Sequence, residues 1–450
     1  MPLKNFHFLR TKVQLGVLAL LLFSMGSMLI AQDSNDDSLN AELRSNYLFG
    51  NWGGMRTKLV RHGIEPSAFL ITDPFANIHG GQQVGASDYN LAAVNIHFKT
   101  DPLIGIRGGD FFVGGAVNFG NSLTDEYVGN SYPIQLADVA GNQPRLTYLG
   151  YEQRLDRDKV NLRLGRLTVN SLESEEFMGS EYFKIFASVG FNLIPQSLFF
   201  NANGASGYPH TTWGARIRYN FDDGFYAEAG AYNGDTKQRV GYQHGIDFSL
   251  RGPLFTIGEV GWHQYDKAHR DSTTNIKVGG YYNGGSYSAA EGTSTKNVTG
   301  LYGLYAVVDH QLISFGETQS VNRHMGIVGT FTAEPQERLG TVPWFFDGGL
   351  AACGPFSSRP HDVASIGVVY GNFKNSSSTL QSSTTILRTS DNEEVLEAGY
   401  AFALHPGLSF QPDIQYMMNP RGNSAIPTNL GAGSTVPNAL AVGANIVLNF

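Results

Sequence analysis

The final residues, Leu440-Ala-Val-Gly-Ala-Asn-Ile-Val-Leu-Asn-Phe450, alternate with a period of two. Leu440, Val442, Ala444, Ile446, Leu448 and Phe450 share one face, and Ala441, Gly443, Asn445, Val447 and Asn449 share the other. One side is apolar and the other small or polar, the pattern of a half-exposed strand. A soluble sandwich would bury such a strand and follow it with a turn or tail. A strand about as long as a tilted bilayer crossing, stopping on an aromatic residue, points instead to a bacterial outer-membrane barrel.

The other end is consistent with export. Lys4, Arg10 and Lys12 precede an almost unbroken apolar run from Val13 to Ile30, and the acidic stretch Gln32-Asp-Ser-Asn-Asp-Asp37 follows Ala31. This is the layout of a secretory signal peptide over residues 1–31, cut after Ala31. A membrane anchor is the rival reading, since the run is nearly long enough to span. Cleavage is favoured because a barrel strand at the other terminus requires export.

No other apolar run approaches the length of a spanning helix. The chain instead carries 54 Gly, 29 Phe and 21 Tyr, which suits many short strands with tyrosine girdles at the membrane interfaces. Without the three basic residues of the leader, the formal charge of −8 becomes −11. That balance argues against nucleic acid as a partner. A lone Cys353 leaves no intrachain disulfide.

Residues 32–67 read as an N-terminal periplasmic segment, with two helical turns over Met55–His62 stopped by Gly63 and shut off by Pro66. From residue 68 to 450 the chain reads as repeated strand–turn–strand units without a linker. At roughly 26 residues per strand and connection, about 16 antiparallel strands fit. A barrel of that size leaves an aqueous channel.

Several hairpins register from sequence alone. Leu155 and Val160 flank Asp156-Arg-Asp-Lys159, which sets Glu152 opposite Arg163 and Tyr151 opposite Leu164. Phe221 and Phe225 flank Asp222-Asp-Gly224, setting Arg218 opposite Glu228 and Ile217 opposite Ala229. Leu404 and Leu408 flank His405-Pro-Gly407, turning Tyr400, Phe402, Phe410 and Ile414 outward and Gln411, Asp413 and Gln415 inward. Gly284–Asn297 and Asn375–Thr385 lack alternation and read as extracellular loops. The aromatic-rich segment 172–208 either folds inward to narrow the lumen or packs over the rim.

In order and spacing, Gly50-Asn-Trp-Gly-Gly-Met-Arg56, Tyr148-Leu-Gly-Tyr-Glu-Gln153, Val160-Asn-Leu-Arg-Leu-Gly165, Trp213-Gly-Ala-Arg-Ile-Arg218, Ala231-Tyr-Asn-Gly-Asp235, Glu394-Val-Leu-Glu-Ala-Gly-Tyr400 and Leu408-Ser-Phe-Gln-Pro-Asp-Ile-Gln-Tyr416 resemble the carbohydrate-selective porins of the OprB type. Gly150 and Arg421 depart from the pattern, standing where a bulky residue and a glycine are usual. The resemblance implies a transmembrane β-barrel of about 16 strands in the outer membrane that passes mono- and small oligosaccharides by passive diffusion. It also implies that Phe450 belongs to a signal read by the barrel-assembly machinery. Monomer and homotrimer are both open.

Sugar selectivity needs a wall that meets hydroxyl groups and apolar ring faces. Arginine and carboxylate side chains supply the first, and aromatic rings the second. Glu152, Arg163, Arg216, Arg218, Glu228 and Asp247 are the lumen-side candidates. Cross-strand register alone accounts for a single Glu/Arg pair; several in succession argue for a charged ladder that filters. Nucleophile elbow, zinc-protease, Walker and dinucleotide motifs are absent from the sequence, no cofactor is implied, and His263 with His269 reads as a strand end rather than a metal site. The alternatives are a general or anion-specific diffusion porin and, more remotely, a barrel enzyme assembled by folding.

Overall fold

The computed structural model describes residues 37–450 apart from 139–141, 171–176, 181–184, 192–195, 202–204, 235–243, 247–248, 267–270, 292–293, 319–320, 337–338, 340–341, 374–390 and 424–434. The leader, the whole Asn375–Thr385 segment and Asp247 therefore lie outside the described residues.

Sixteen antiparallel strands close on themselves, each bonded to its sequence neighbours and β1 (Ile64–His79) bonded to β16 (Ala439–Asn449). Closure leaves no edge, the condition for sheet in lipid. Leu149, Leu162, Leu164, Ile217, Phe225, Val260 and Ile366 are exposed, while Glu152, Asn161, Arg216, Glu228, Glu259 and Ser365 on the same strands are buried. The alternation places apolar residues toward lipid and polar ones toward the lumen.

Because β1 begins and β16 ends at one rim, every even-to-odd connection lies at that rim too. Those connections include the short turns after β4 (Pro144–Leu155), β6 (Thr212–Asn220) and β14 (Asp391–His405). Short turns mark the periplasmic side. An N-terminal segment packs there: a helix over Asp37–Asn46, then one over Met55–Arg61 that ends where Gly63 takes a φ of 80°. Pro66 does not end the helical stretch but lies inside β1, paired with Ile96. Arg56, buried against the rings of Tyr47 and Trp52, donates from Nη2 to the carbonyls of Pro66 and Phe450, both at 2.8 Å. The Phe450 N–H donates to Ala68 at 2.7 Å, so the segment braces the seam where the barrel closes.

The registers of β4 with β5 (Val160–Leu167) and of β6 with β7 (Phe225–Asn233) reproduce the expected pairs, including Glu152 with Arg163 and Arg218 with Glu228. In the last hairpin Phe402 faces Phe410 as expected, but a bulge at Leu404 pairs His405 with Leu408 and shortens the turn. Residues Gly284–Asn297 are corrected more fully. Apart from 292–293, which lie outside the described residues, they belong to β9 (Asp271–Glu291) and β10 (Ser294–Thr318), which pair along this stretch. Backbone bonding needs no side-chain alternation, and buried Tyr287 joins Tyr281 and Leu301 in the lumen.

Candidate functional site

The lumen is narrowed by two long connections. The loop between β3 (Gly109–Gly120) and β4 buries Leu123, Val128, Tyr132, Ile134 and Leu136. The described parts of the loop between β5 and β6 bury Phe177, Met178, Phe186 and Leu198 against wall residues. Segment 172–208 thus folds inward where it is described: Met178 reaches β8 (Leu254–Asp266), Ser180 reaches β10 and Ser197 reaches Thr332 on β11 (Val321–Ala333).

Inward carboxylates hold these loops by accepting main-chain N–H groups. Glu393 takes Ser131 and Tyr132, at 2.9 and 3.1 Å, and also Arg421 at 2.5 Å. Glu397 takes Ala187 at 2.6 Å and Ser188 at 3.0 Å. Asp73 takes Ala137 at 2.8 Å and the Asn445 amide at 2.6 Å. Arg421 holds a φ of 59°, which explains why glycine is usual there; its N–H on Glu393 offsets part of the strain.

The opposite wall carries the candidates. Glu152 sits between Arg154 Nε at 2.8 Å, Arg163 Nε at 3.3 Å and the Asn161 amide at 3.0 Å. Arg163 faces Arg216 directly across β5 and β6. The Glu228 carboxylate lies 3.9 Å from Arg216 and 4.0 Å from Arg218. Both arginine rows rest on rings, Arg218 over Tyr226 at 3.6 Å and Arg163 over Phe112 at 4.7 Å. Phe112 explains the glycine at 150: a Cβ there would lie 2.7 Å from its ring. Side-chain exposure ranks the candidates, at 10% for Arg163, 8% for Glu152 and Arg218, 2% for Arg216 and none for Glu228. Arg163, Arg218 and Glu152 form the front of the wall, and Arg216 and Glu228 stand behind.

Sequence reasoning missed Phe112, Tyr226, Glu259 and Lys277. Glu259 stands directly opposite Glu228 and is approached by Lys277 Nζ at 3.8 Å. The strand Leu254–Asp266 has apolar residues on both faces, Phe255 and Ile257 inward and Leu254 and Val260 outward, so its parity was unreadable. Among the described residues no group of His, Cys, Asp and Glu could hold a metal.

A closed sixteen-stranded barrel whose interior is narrowed by loops and lined with charge is a diffusion channel. The family model for the carbohydrate-selective porins of the OprB family matches residues 85–450, and the chain belongs to that family. It is an outer-membrane porin for the diffusion of sugars. It is similar to Porin B of Pseudomonas aeruginosa, 21% identical over 86% of this chain and 90% of that one. A putative porin, QuiX, of Acinetobacter baylyi is 22% identical over 84% and 89%. The high-pH structure of Pseudomonas putida OprB superposes with a TM-score of 0.77 at 21% identity, covering 90% of this chain and 99% of that one.

Proposed function

We propose that Arg163, Arg218 and Glu152 touch the permeating sugar, and that Arg216 and Glu228 act from behind by setting the charge of the wall. The observation that carries this is the stacking of Arg218 on Tyr226 and of Arg163 on Phe112. Stacking holds a guanidinium flat while its N–H edge remains directed along the wall, so donors for vicinal hydroxyls are pre-oriented. Glu152 supplies an acceptor beside them. Hydrogen bonds of this kind can be exchanged for water as the sugar enters and leaves, which suits passage rather than retention. Asp247 joins the set on its sequence register alone.

The solutes expected are mono- and small oligosaccharides. An anion-selective channel is the second reading, favoured by the direct opposition of Arg163 and Arg216. Liposomes carrying the purified protein should swell faster in mono- and disaccharides than in charged solutes of equal size. Faster swelling in anions than in sugars would select the second reading. Arg163→Ala should weaken sugar block of the single-channel current by about tenfold, the effect of one charge-assisted hydrogen bond.

Export through a cleaved leader over residues 1–31 and recognition of Phe450 by the barrel-assembly machinery complete the proposal. Deleting Phe450 should lower the amount of heat-modifiable barrel in outer-membrane fractions; normal assembly of the truncated chain would remove that role.

A further inference from the structure

We propose that Glu259 is the positioning residue of the constriction, holding the inward loop and the aromatic plate under Arg218 in one place and thereby setting the aperture. The inference rests on reading the arginine row as the wall of the passage. Four elements converge on this one buried side chain. Tyr226 of β7 donates its hydroxyl to Oε1 at 2.7 Å, and Tyr305 of β10 donates to Oε2 at 2.9 Å. The main-chain N–H of Met178, from the inward loop, donates to Oε2 at 2.9 Å. Lys277 of β9 lies 3.8 Å from Oε1. Tyr226 in turn carries the Arg218 guanidinium on its face.

Two glycines make the convergence possible. Gly279 stands directly opposite Glu259, and Gly261 follows it on the same inward face. A Cβ at Gly279 would lie 2.3 Å from the Tyr305 ring, and one at Gly261 would lie 2.4 Å from the Tyr226 ring. With no side chain beneath them, both rings lie along the wall and bring their hydroxyls to the carboxylate. Phe177, next to Met178 in the loop, lies over Gly230, where a Cβ would come within 2.9 Å of its ring. The loop is therefore fixed beside the strand that carries Tyr226 and Glu228. A carboxylate that served stability alone would have no path to the passage; this one reaches Arg218 through a single ring and the loop through a single N–H.

The test is single-channel recording of the full-length protein in planar bilayers, with a monosaccharide as the probe. Glu259→Ala should raise conductance and weaken monosaccharide block about tenfold. Tyr226→Phe keeps the ring under Arg218 but removes the bond to Glu259, and should weaken the block by a smaller factor. The double variant should be no weaker than Glu259→Ala alone, because both changes break one connection. If Glu259→Ala does not assemble, Tyr226→Phe carries the test by itself. Unchanged conductance and block, or losses that simply multiply in the double variant, would overturn the proposal. Arg218→Ala separates the two readings. If it weakens the block while Glu259→Ala changes neither readout, the wall reading stands and the positioning role falls. If it is silent while Glu259→Ala widens the channel, the wall reading falls and Glu259 keeps only its hold on the inward loop, which overturns the proposal as stated.

Discussion

Charge is used in opposite ways on the two sides of this lumen. On the side formed by β1, β14 and β15 (Leu408–Met418), the carboxylates of Asp73, Glu393 and Glu397 accept N–H groups from the folded-in loops. Their negative charge is taken up by the scaffold that narrows the channel. On the side formed by β4 to β7, Arg163 and Arg218 lie on aromatic faces and keep part of their surface toward the lumen. A chain with a formal charge of −8 can thus present a passage whose accessible charge is positive. Net charge describes the molecule, whereas selectivity depends on which charges remain unshielded where solutes pass.

The largest effect is expected at an acidic anchor. Glu393→Ala leaves the N–H groups of Ser131, Tyr132 and Arg421 without this acceptor, at a cost of about 1–3 kcal/mol for each buried donor. The expected outcome is a lower temperature of heat modification together with higher conductance. A stable variant with unchanged conductance would mean that the loop is held elsewhere.

The next effect separates the faces of a single strand. Arg163 points inward on β5 and Leu164 outward. Leu164→Lys near mid-membrane depth should cost about 2–4 kcal/mol, whereas Arg163→Ala should leave stability nearly unchanged. Measuring unfolding in urea for both variants checks the register, and the reverse order would place it one residue out.

The smallest effect is a pH dependence in the loop between β3 and β4. Burial, with a contribution from Asp125, pushes the Asp138 carboxyl up to about 6, although the Ser122 hydroxyl donates to it. A raised folded value means that the folded state binds the proton more tightly. That contribution to stability is complete below the ordinary Asp value of about 4 and is lost as pH rises through about 6. Asp138→Asn should therefore stabilise the protein at pH 7 and above relative to the parent, with the difference vanishing below about pH 4. Thermal unfolding at the two pH values decides it.

Much of the wall was legible in the sequence because barrel strands obey a local rule. Glu152 and Arg163 are joined by a four-residue turn, and Arg218 and Glu228 by a three-residue one, so alternation and turn length fixed their pairing. What the sequence concealed depends on distant contacts. Glu393 reads as one more inward carboxylate until Ser131, 262 positions away, is brought to it. Glu259 was hidden by strand residues that are apolar on both faces, and its role requires Met178 and Tyr305 from other elements. The high glycine count also acquired a meaning only in three dimensions: Gly261, Gly279 and Gly150 clear space for Tyr226, Tyr305 and Phe112. The extension of β9 and β10 beyond residue 284 was missed because hydrogen bonding between backbones leaves no period in a Ser- and Gly-rich segment.

Accessible positive charge on the arginine wall governs passage in the function proposed for this channel. The most direct test is the reversal potential of single channels in a salt gradient, compared between the parent protein and the Arg216→Ala/Arg218→Ala double variant. The variant should shift toward cations and lose monosaccharide block together, because fixed positive charge and oriented donors are removed at once. An unchanged reversal potential with unchanged block would place these arginines outside the filter and leave them as wall-stabilising pairs.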